Sequence, residues 1–366
     1  MKSEPTIAHP PIIPHIVSQH AEEAAFQWLL RDAAVVAPHY DLDDLAQLDD
    51  RVEANIDGLR IAGDPGWGIV LDQLEWQEPG EVFAAAVLAF ESGDRERLET
   101  VFSAAEGSFD RTRAMASALG WIPWNQICSQ VENLVGSENP FHQRLGLAAM
   151  AIHRQPEYNW LANGLSSTEP IVRSRALRAI GEFGQKQLSS TVRANLNHAE
   201  DTCRFWASWS GALIGSEDAI PVLRAFVEVG DEWSERSAFM LGRILDVREA
   251  LTWQRGLFQS PQTQRVAIQL VGTIGDPVSV EWLFEIMPEP QYARLAGEAF
   301  SMITGLDIAY DDLDSDWPEG FESGPSEDPE EEDVSMDADE DLPWPNVDLL
   351  KEWWRTHRQS YENHHR

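Results

Sequence analysis

The sequence predicts an all-α fold: a solenoid of about seven stacked helical hairpins between an N-terminal helical cap and an acidic C-terminal extension. Three observations carry that expectation. An arginine opens a similar apolar segment at Arg113, Arg144, Arg173, Arg204, Arg236, Arg265 and Arg294, at successive intervals of 31, 29, 31, 32, 29 and 29 residues. A small or apolar residue follows three positions later in Ala116, Leu147, Ala176, Ala207, Ile268 and Gly297, with the larger Phe239 after Arg236. The apolar residues of these segments recur with the helical period and none alternates with period two, which disfavours a sheet.

Residues 1–80 read as the cap, which a solenoid needs because its terminal units have no neighbour to cover their apolar face. The run SQHAEEAAFQWLLRDAAV (residues 18–35) predicts a helix in whose first turns His20, Glu22 and Glu23 lie, the two carboxylates complementing the helix dipole. The run YDLDDLAQLDDRVEANIDGLRIAG (residues 40–63) predicts a second, strongly acidic helix, and GDPGWG (residues 63–68) reads as a turn between cap helices. Residues 81–306 form the array, with EVFAAAVLAFESGDRERLETVFSAA (residues 81–105) as a first hairpin lacking the arginine. In VRSRALRAIGEFG (residues 172–184), Val172, Ala176, Ala179, Ile180 and Phe183 line one helical stripe, and Gly184 offers the left-handed residue that ends it. In VGTIGDPVSVEWLFEIM, Gly275 ends one helix, Asp276 caps the next and Pro277 opens it. The recurring arginines are expected to pair with a carboxylate or carbonyl of the adjacent repeat.

Residues 307–345 form the acidic extension and residues 346–366 a terminal helix, within which LLKEWWRTHRQS is the helical run. The 40 residues 306–345 contain 17 acidic residues and no Lys or Arg. Such composition favours disorder, yet Tyr310, Trp317, Phe321, Trp344 and Pro345 are interspersed. Partial order is therefore expected, with Trp344, Trp353 and Trp354 pinning the extension onto the last repeats.

Lys and Arg total 27 against 62 Asp and Glu, a formal net charge of -35. That charge repels nucleic-acid phosphates and anionic membrane surfaces alike, so neither is an expected partner. The two cysteines, Cys128 and Cys203, are neither a disulfide framework nor a metal-ligand pair, and both read as buried thiols in a reducing compartment. No apolar run reaches the roughly 18 residues of a membrane span, and the opening MKSEPTIAHPPIIPH lacks a signal-peptide pattern, which predicts a cytoplasmic protein.

Catalytic constellations are missing from the sequence. No HExxH, CxxC, phosphate-binding loop or G-x-S-x-G elbow occurs, and the ten histidines are scattered, with His364 and His365 at the chain end. Asp312, Asp314 and Asp316 match the start of a calcium loop, but Trp317 stands at its glycine and Ser323 at its bidentate glutamate. The expectation is a protein without catalytic residues, metal or cofactor.

What the residues do suggest is protein binding. Asp311, Asp312, Asp314 and Asp316 beside Trp317 combine one sign of charge with an aromatic anchor, and Trp206, Trp209 and Trp233, with Phe205, predict an aromatic ledge on the array. The partner expected from these features is a basic protein.

The runs VRSRALRAIGEFG, GSEDAIPVL (residues 215–223) and VGTIGDPVSVEWL resemble HEAT-like repeats of the short kind first described in phycobilin lyases. The resemblance implies a HEAT-like α-solenoid, and the lyase activity is not implied because only the repeats are shared. Residues 20–63, ARLAGEAFSMITGLDI (residues 293–308) and DEDLPWP (residues 339–345) further resemble a bacterial family of HEAT-like proteins encoded beside type VI secretion components and effectors. That likeness implies an immunity protein that neutralises a secreted nuclease-type effector, or an adaptor that loads an effector onto the secretion machinery.

Overall fold

The structure, a computed structural model, describes residues 12–37, 40–155, 158–324 and 337–361. Expectations for the first eleven residues, for residues 325–336 and for His364 and His365 lie outside them. Among the described residues every regular element is helical, apart from one antiparallel bridge between Asp314 and Pro345. The chain divides into two compact units, residues 1–184 and 185–366.

The first unit opens with helices Pro14–Ala34 and Leu42–Ala62, packed on each other. Pro14 starts the first helix four residues earlier than expected, because proline suits a first turn whose N–H groups have no intrahelical partner. Glu22 and Glu23 consequently lie in the helix interior and do not meet its N-terminal dipole. Glu22 instead accepts from Ser18 Oγ at 3.0 Å, while His20 Nδ1 lies 2.9 Å from Asn55 Oδ1. Asp41 caps the second helix by accepting from the backbone N–H of Asp43 and Asp44 at 2.8 and 2.9 Å. The GDPGWG run also differs from expectation: it begins helix Asp64–Gln73, with Gly63 at φ 64° as its N-cap and Pro65 in the first turn.

Helix Pro79–Ser92 is buried from Val82 through Phe90 on all sides, as a helix apolar all round must be. It packs against Pro14–Ala34, where the Trp28 ring stacks on Phe83 at 5.1 Å and Trp28 Nε1 donates to Ser117 Oγ at 3.0 Å. Gly80 permits that approach, since a Cβ there would stand 2.5 Å from the Ala25 carbonyl oxygen.

From this helix a row continues through Phe109–Trp121, Pro140–Ile152 and Pro170–Phe183, each packed on the one before, with Arg95–Ala105, Trp124–Val135 and Tyr158–Ser166 alternating between them. The second unit repeats the pattern. Asp201–Leu213, Ser234–Ile244, Gln264–Ile274 and Pro290–Thr304 form its row, and Ala219–Val229, Val247–Leu257 and Val280–Ile286 alternate with them. Every one of the seven recurring arginines falls on a row helix. Gly184, Gly275 and Gly305, with φ between 65° and 74°, end row helices at the left-handed position. Cys203 is buried as expected, whereas Cys128 lies part-exposed on the flank of Trp124–Val135.

Candidate functional site

Helix Pro290–Thr304 ends at Gly305, and the chain then turns back on the second unit. Leu306 and Ile308 enter the core, where Leu350 and Trp354 of helix Val347–His357 join Ile268, Val271, Leu283 and Phe300, with Trp353 partly buried against them. Asp307 Oδ1 accepts from the N–H groups of Ala309 and Tyr310 at 3.1 and 3.0 Å, and Leu313 N–H returns to Ile308 O at 2.9 Å. Asp312 adopts φ 56° inside this turn, a conformation that aspartate tolerates better than most residues. Beyond the turn, Ser315 N–H donates to Trp344 O at 2.8 Å and Asn346 N–H to Leu313 O at 2.9 Å. Residues 313–315 and 344–346 thus hold one another, and Asp311, Asp312, Asp314 and Asp316 are left exposed on the outside.

The return is clamped by two of the recurring arginines. Arg294, whose side chain is only 3% exposed, donates from Nη1 to Asp339 O at 2.8 Å and from Nη2 to the Asp337 carboxylate. Its guanidinium carbon sits 5.1 Å from the ring centre of Trp317 and 4.8 Å from that of Trp344, a cation held by two aromatic faces. Arg265 makes a bidentate pair with Asp339, Nη1 to Oδ2 at 2.9 Å and Nη2 to Oδ1 at 2.6 Å. Trp317, Phe321 and Trp344 pack edge or tilted against one another within 5.9 Å, and Trp317 Nε1 donates to Phe321 O at 2.7 Å. Trp344 is buried while Trp317 remains 48% exposed.

The clamp has an acid limit. Burial raises the Asp337 carboxyl, but hydrogen bonds from the Asp339 N–H, the Arg294 guanidinium and the Ser323 hydroxyl outweigh it and hold it below the ordinary aspartate value. A depressed carboxylate contributes stability above its unfolded value and loses it as pH falls through its folded one. The segment around residue 337 is therefore expected to stay seated at pH 4 and above and to come away below about pH 4. Tryptophan fluorescence followed through an acid titration reads this, and a transition complete near neutral pH contradicts it.

The second predicted group also assembles, earlier in the same unit. The Phe205 ring, fully buried, stacks on Trp233 at 4.3 Å and meets Trp206 edge-on at 4.9 Å, while Trp206 and Trp209 meet at 5.4 Å. Arg236 lies over the Trp206 ring at 6.0 Å. Trp206, Trp209 and Trp233 are each half-buried, so the predicted ledge is partly a core layer between row helices.

Several residues of the clamp escaped the sequence reading. Arg265 and Arg294 were visible as repeat positions, but their partners lie in the extension and not in the adjacent repeat. Among the other arginines, Arg113 pairs with Asp32 of the first helix at 2.5 Å, and Arg204 bonds its own turn through His198 O at 2.8 Å and Asp201 at 2.5 Å. Local chemistry and chain return, not the repeat neighbour, supply these partners. The available signal for the clamp was the acidic run DADED before LPWP, which alone does not say that Asp337 and Asp339 are the residues used or which arginine they meet.

Row and alternating helices, with arginines at one register, define an α-helical repeat protein of the solenoid class. Residues 158–242 match the family model for HEAT repeats, and the rows of paired helices fit that repeat fold. No curated protein matches the sequence. Repeats of this class present extended faces to protein partners, which makes the chain a protein-interaction module. No described helix is long and apolar enough to cross a membrane.

Proposed function

We propose that the chain is a non-catalytic module that binds a basic protein, acting as a cytoplasmic immunity protein that neutralises a basic type VI secretion effector of the nuclease type. Occlusion of the effector's active or substrate surface is the mechanism. The observation supporting a basic partner is the set of exposed carboxylates at Asp311, Asp312, Asp314 and Asp316 next to the half-exposed Trp317, on a segment whose backbone is already held in place. Carboxylates of one sign steer a cationic surface toward the site and compete with the phosphates it would otherwise engage. A fixed backbone spares the ordering entropy of binding, and an aromatic side chain supplies the apolar anchor. Trp206, Trp209 and Trp233 offer a second, weaker contact. The effector and secretion assignments rest on the family resemblance of residues 20–63, 293–308 and 339–345.

Capture of partners from cells that express the protein, at low and at high salt, tests this reading. A basic toxin retained at low salt and inactive in the complex is expected. With that partner in hand, replacing the four aspartates by lysine is expected to lower its affinity at low salt by roughly tenfold or more, chiefly through the association rate. Unchanged affinity removes the electrostatic basis. Cells that survive the toxin without this protein but fail to export it point to the adaptor role instead.

A further inference from the structure

Helix Tyr158–Ser166 is shorter than the row helices on either side of it. It packs on Pro170–Phe183 and Pro140–Ile152, and Gly164 permits the approach, since a Cβ there would stand 2.9 Å from Ala176 Cβ and 3.0 Å from Leu147 Cδ1. Beside that contact a cavity of about 190 Å³ remains. Its lining is graded. Val135, Leu147 and Val172 are buried at the inner end, Trp160 and Gln143 are half-buried, and Asn163 stands exposed at the mouth.

Size and lining limit what can enter. A cavity of about 150 Å³ holds benzene, so this one takes a single six-membered ring with a small substituent. None of the lining side chains is charged, although the chain carries 27 basic and 62 acidic residues. An ion drawn in here would lose its water without gaining a counter-charge, which disfavours charged ligands. The polar groups left to a ligand are amides. Gln143 Nε2 donates to Ser137 O at 2.6 Å, which leaves Oε1 as an acceptor, and the Asn163 amide has no hydrogen-bond partner among the described residues. The two lining hydroxyls are already engaged: Ser166 Oγ donates to Ala162 O at 3.0 Å, and Ser167 Oγ accepts from the Glu169 N–H at 3.1 Å. A carboxamide presents N–H and C=O side by side, so it pairs reciprocally with another amide or with a lactam edge.

We propose that this cavity binds a free, uncharged one-ring aromatic compound bearing an amide or lactam edge. The ring lies against Trp160, Leu147 and Val172, where a flat apolar body replaces water, and the polar edge pairs with Asn163 and Gln143 at the mouth. The site lies within the N-terminal unit, away from the acidic residues of the extension, and does not depend on the proposed partner.

The full-length chain titrated with nicotinamide, benzamide and uracil tests the proposal, with saturation-transfer NMR and amide exchange as readouts and with nicotinate and benzoate as charged controls. Saturable binding of the neutral probes is expected, with exchange slowed in helices Pro140–Ile152 and Tyr158–Ser166. The two carboxylates, of nearly the same size, should bind roughly tenfold more weakly or worse, because the cavity offers them no counter-charge. Asn163→Ala, at an exposed position, should leave the thermal midpoint unchanged and weaken the neutral probes by roughly tenfold, the share of one hydrogen bond. Asn163→Asp keeps the shape, removes a donor and adds a charge, and should weaken them at least as much. Saturation by none of the three neutral probes, equal binding of nicotinate and nicotinamide, or full affinity in Asn163→Ala overturns the proposal. So does binding that slows exchange only outside these two helices.

Discussion

Replacing Arg294 by alanine is expected to destabilise the C-terminal unit by about 3–5 kcal/mol, the range for removing one partner of a buried ion pair. The Arg294 side chain is 3% exposed and the Asp337 side chain 10%. Without the guanidinium, the Asp337 carboxylate keeps only the neutral Asp339 N–H and Ser323 hydroxyl and the Asp339 carbonyl only the Leu342 N–H, so both lose their charged donor, and the space between Trp317 and Trp344 empties. Urea denaturation followed by tryptophan emission measures the loss, and amide exchange locates it in residues 313–317 and 337–346. Arg294→Lys keeps a charge but not the planar fork, so it should recover only part of the difference. A cost below about 1 kcal/mol with unchanged exchange would mean that the aromatic cluster seats the segment unaided.

The second large effect belongs to the other unit. Trp28→Ala is expected to cost about 3–5 kcal/mol, as large aromatic truncations in a packed core do. Trp28 is 1% exposed, stacks on Phe83, and its indole N–H is bonded to Ser117. Its removal therefore opens a cavity and leaves a hydroxyl unpaired at the place where helices Pro14–Ala34, Pro79–Ser92 and Phe109–Trp121 meet. Exchange should accelerate in those three helices. Protection lost only within Pro14–Ala34 contradicts the assignment of Trp28 to the shared core. Trp28→Phe, which keeps the ring stack without the N–H, should restore most of the stability.

Helix existence was legible because its causes are local. The stripe at Val172, Ala176, Ala179, Ile180 and Phe183 and the glycine after it act within a few turns of chain, and the structure places helix Pro170–Phe183 accordingly. Boundaries were less legible at the cap. Glu22 and Glu23 looked like N-terminal residues because the acidic pattern begins there, yet Pro14 had already begun the helix. GDPGWG looked like a turn because glycine and proline mark turns, but the same residues also open helices. At the candidate site the residue types were readable and their arrangement was not: Trp317 divides its faces between solvent and Arg294, and Trp206, Trp209 and Trp233 share theirs with the core.

The sequence by itself determined the helical class, the register of the recurring arginines and the excess of negative charge, since periodicity and composition need no knowledge of distant contacts. Only the tertiary structure decided what those arginines meet. Arg265 and Arg294 find Asp339 and Asp337 across 74 and 43 residues of chain, and Arg60 finds Glu91 across 31. Ion pairing depends on distance through space and on how far water has been excluded, and neither is a property of sequence separation.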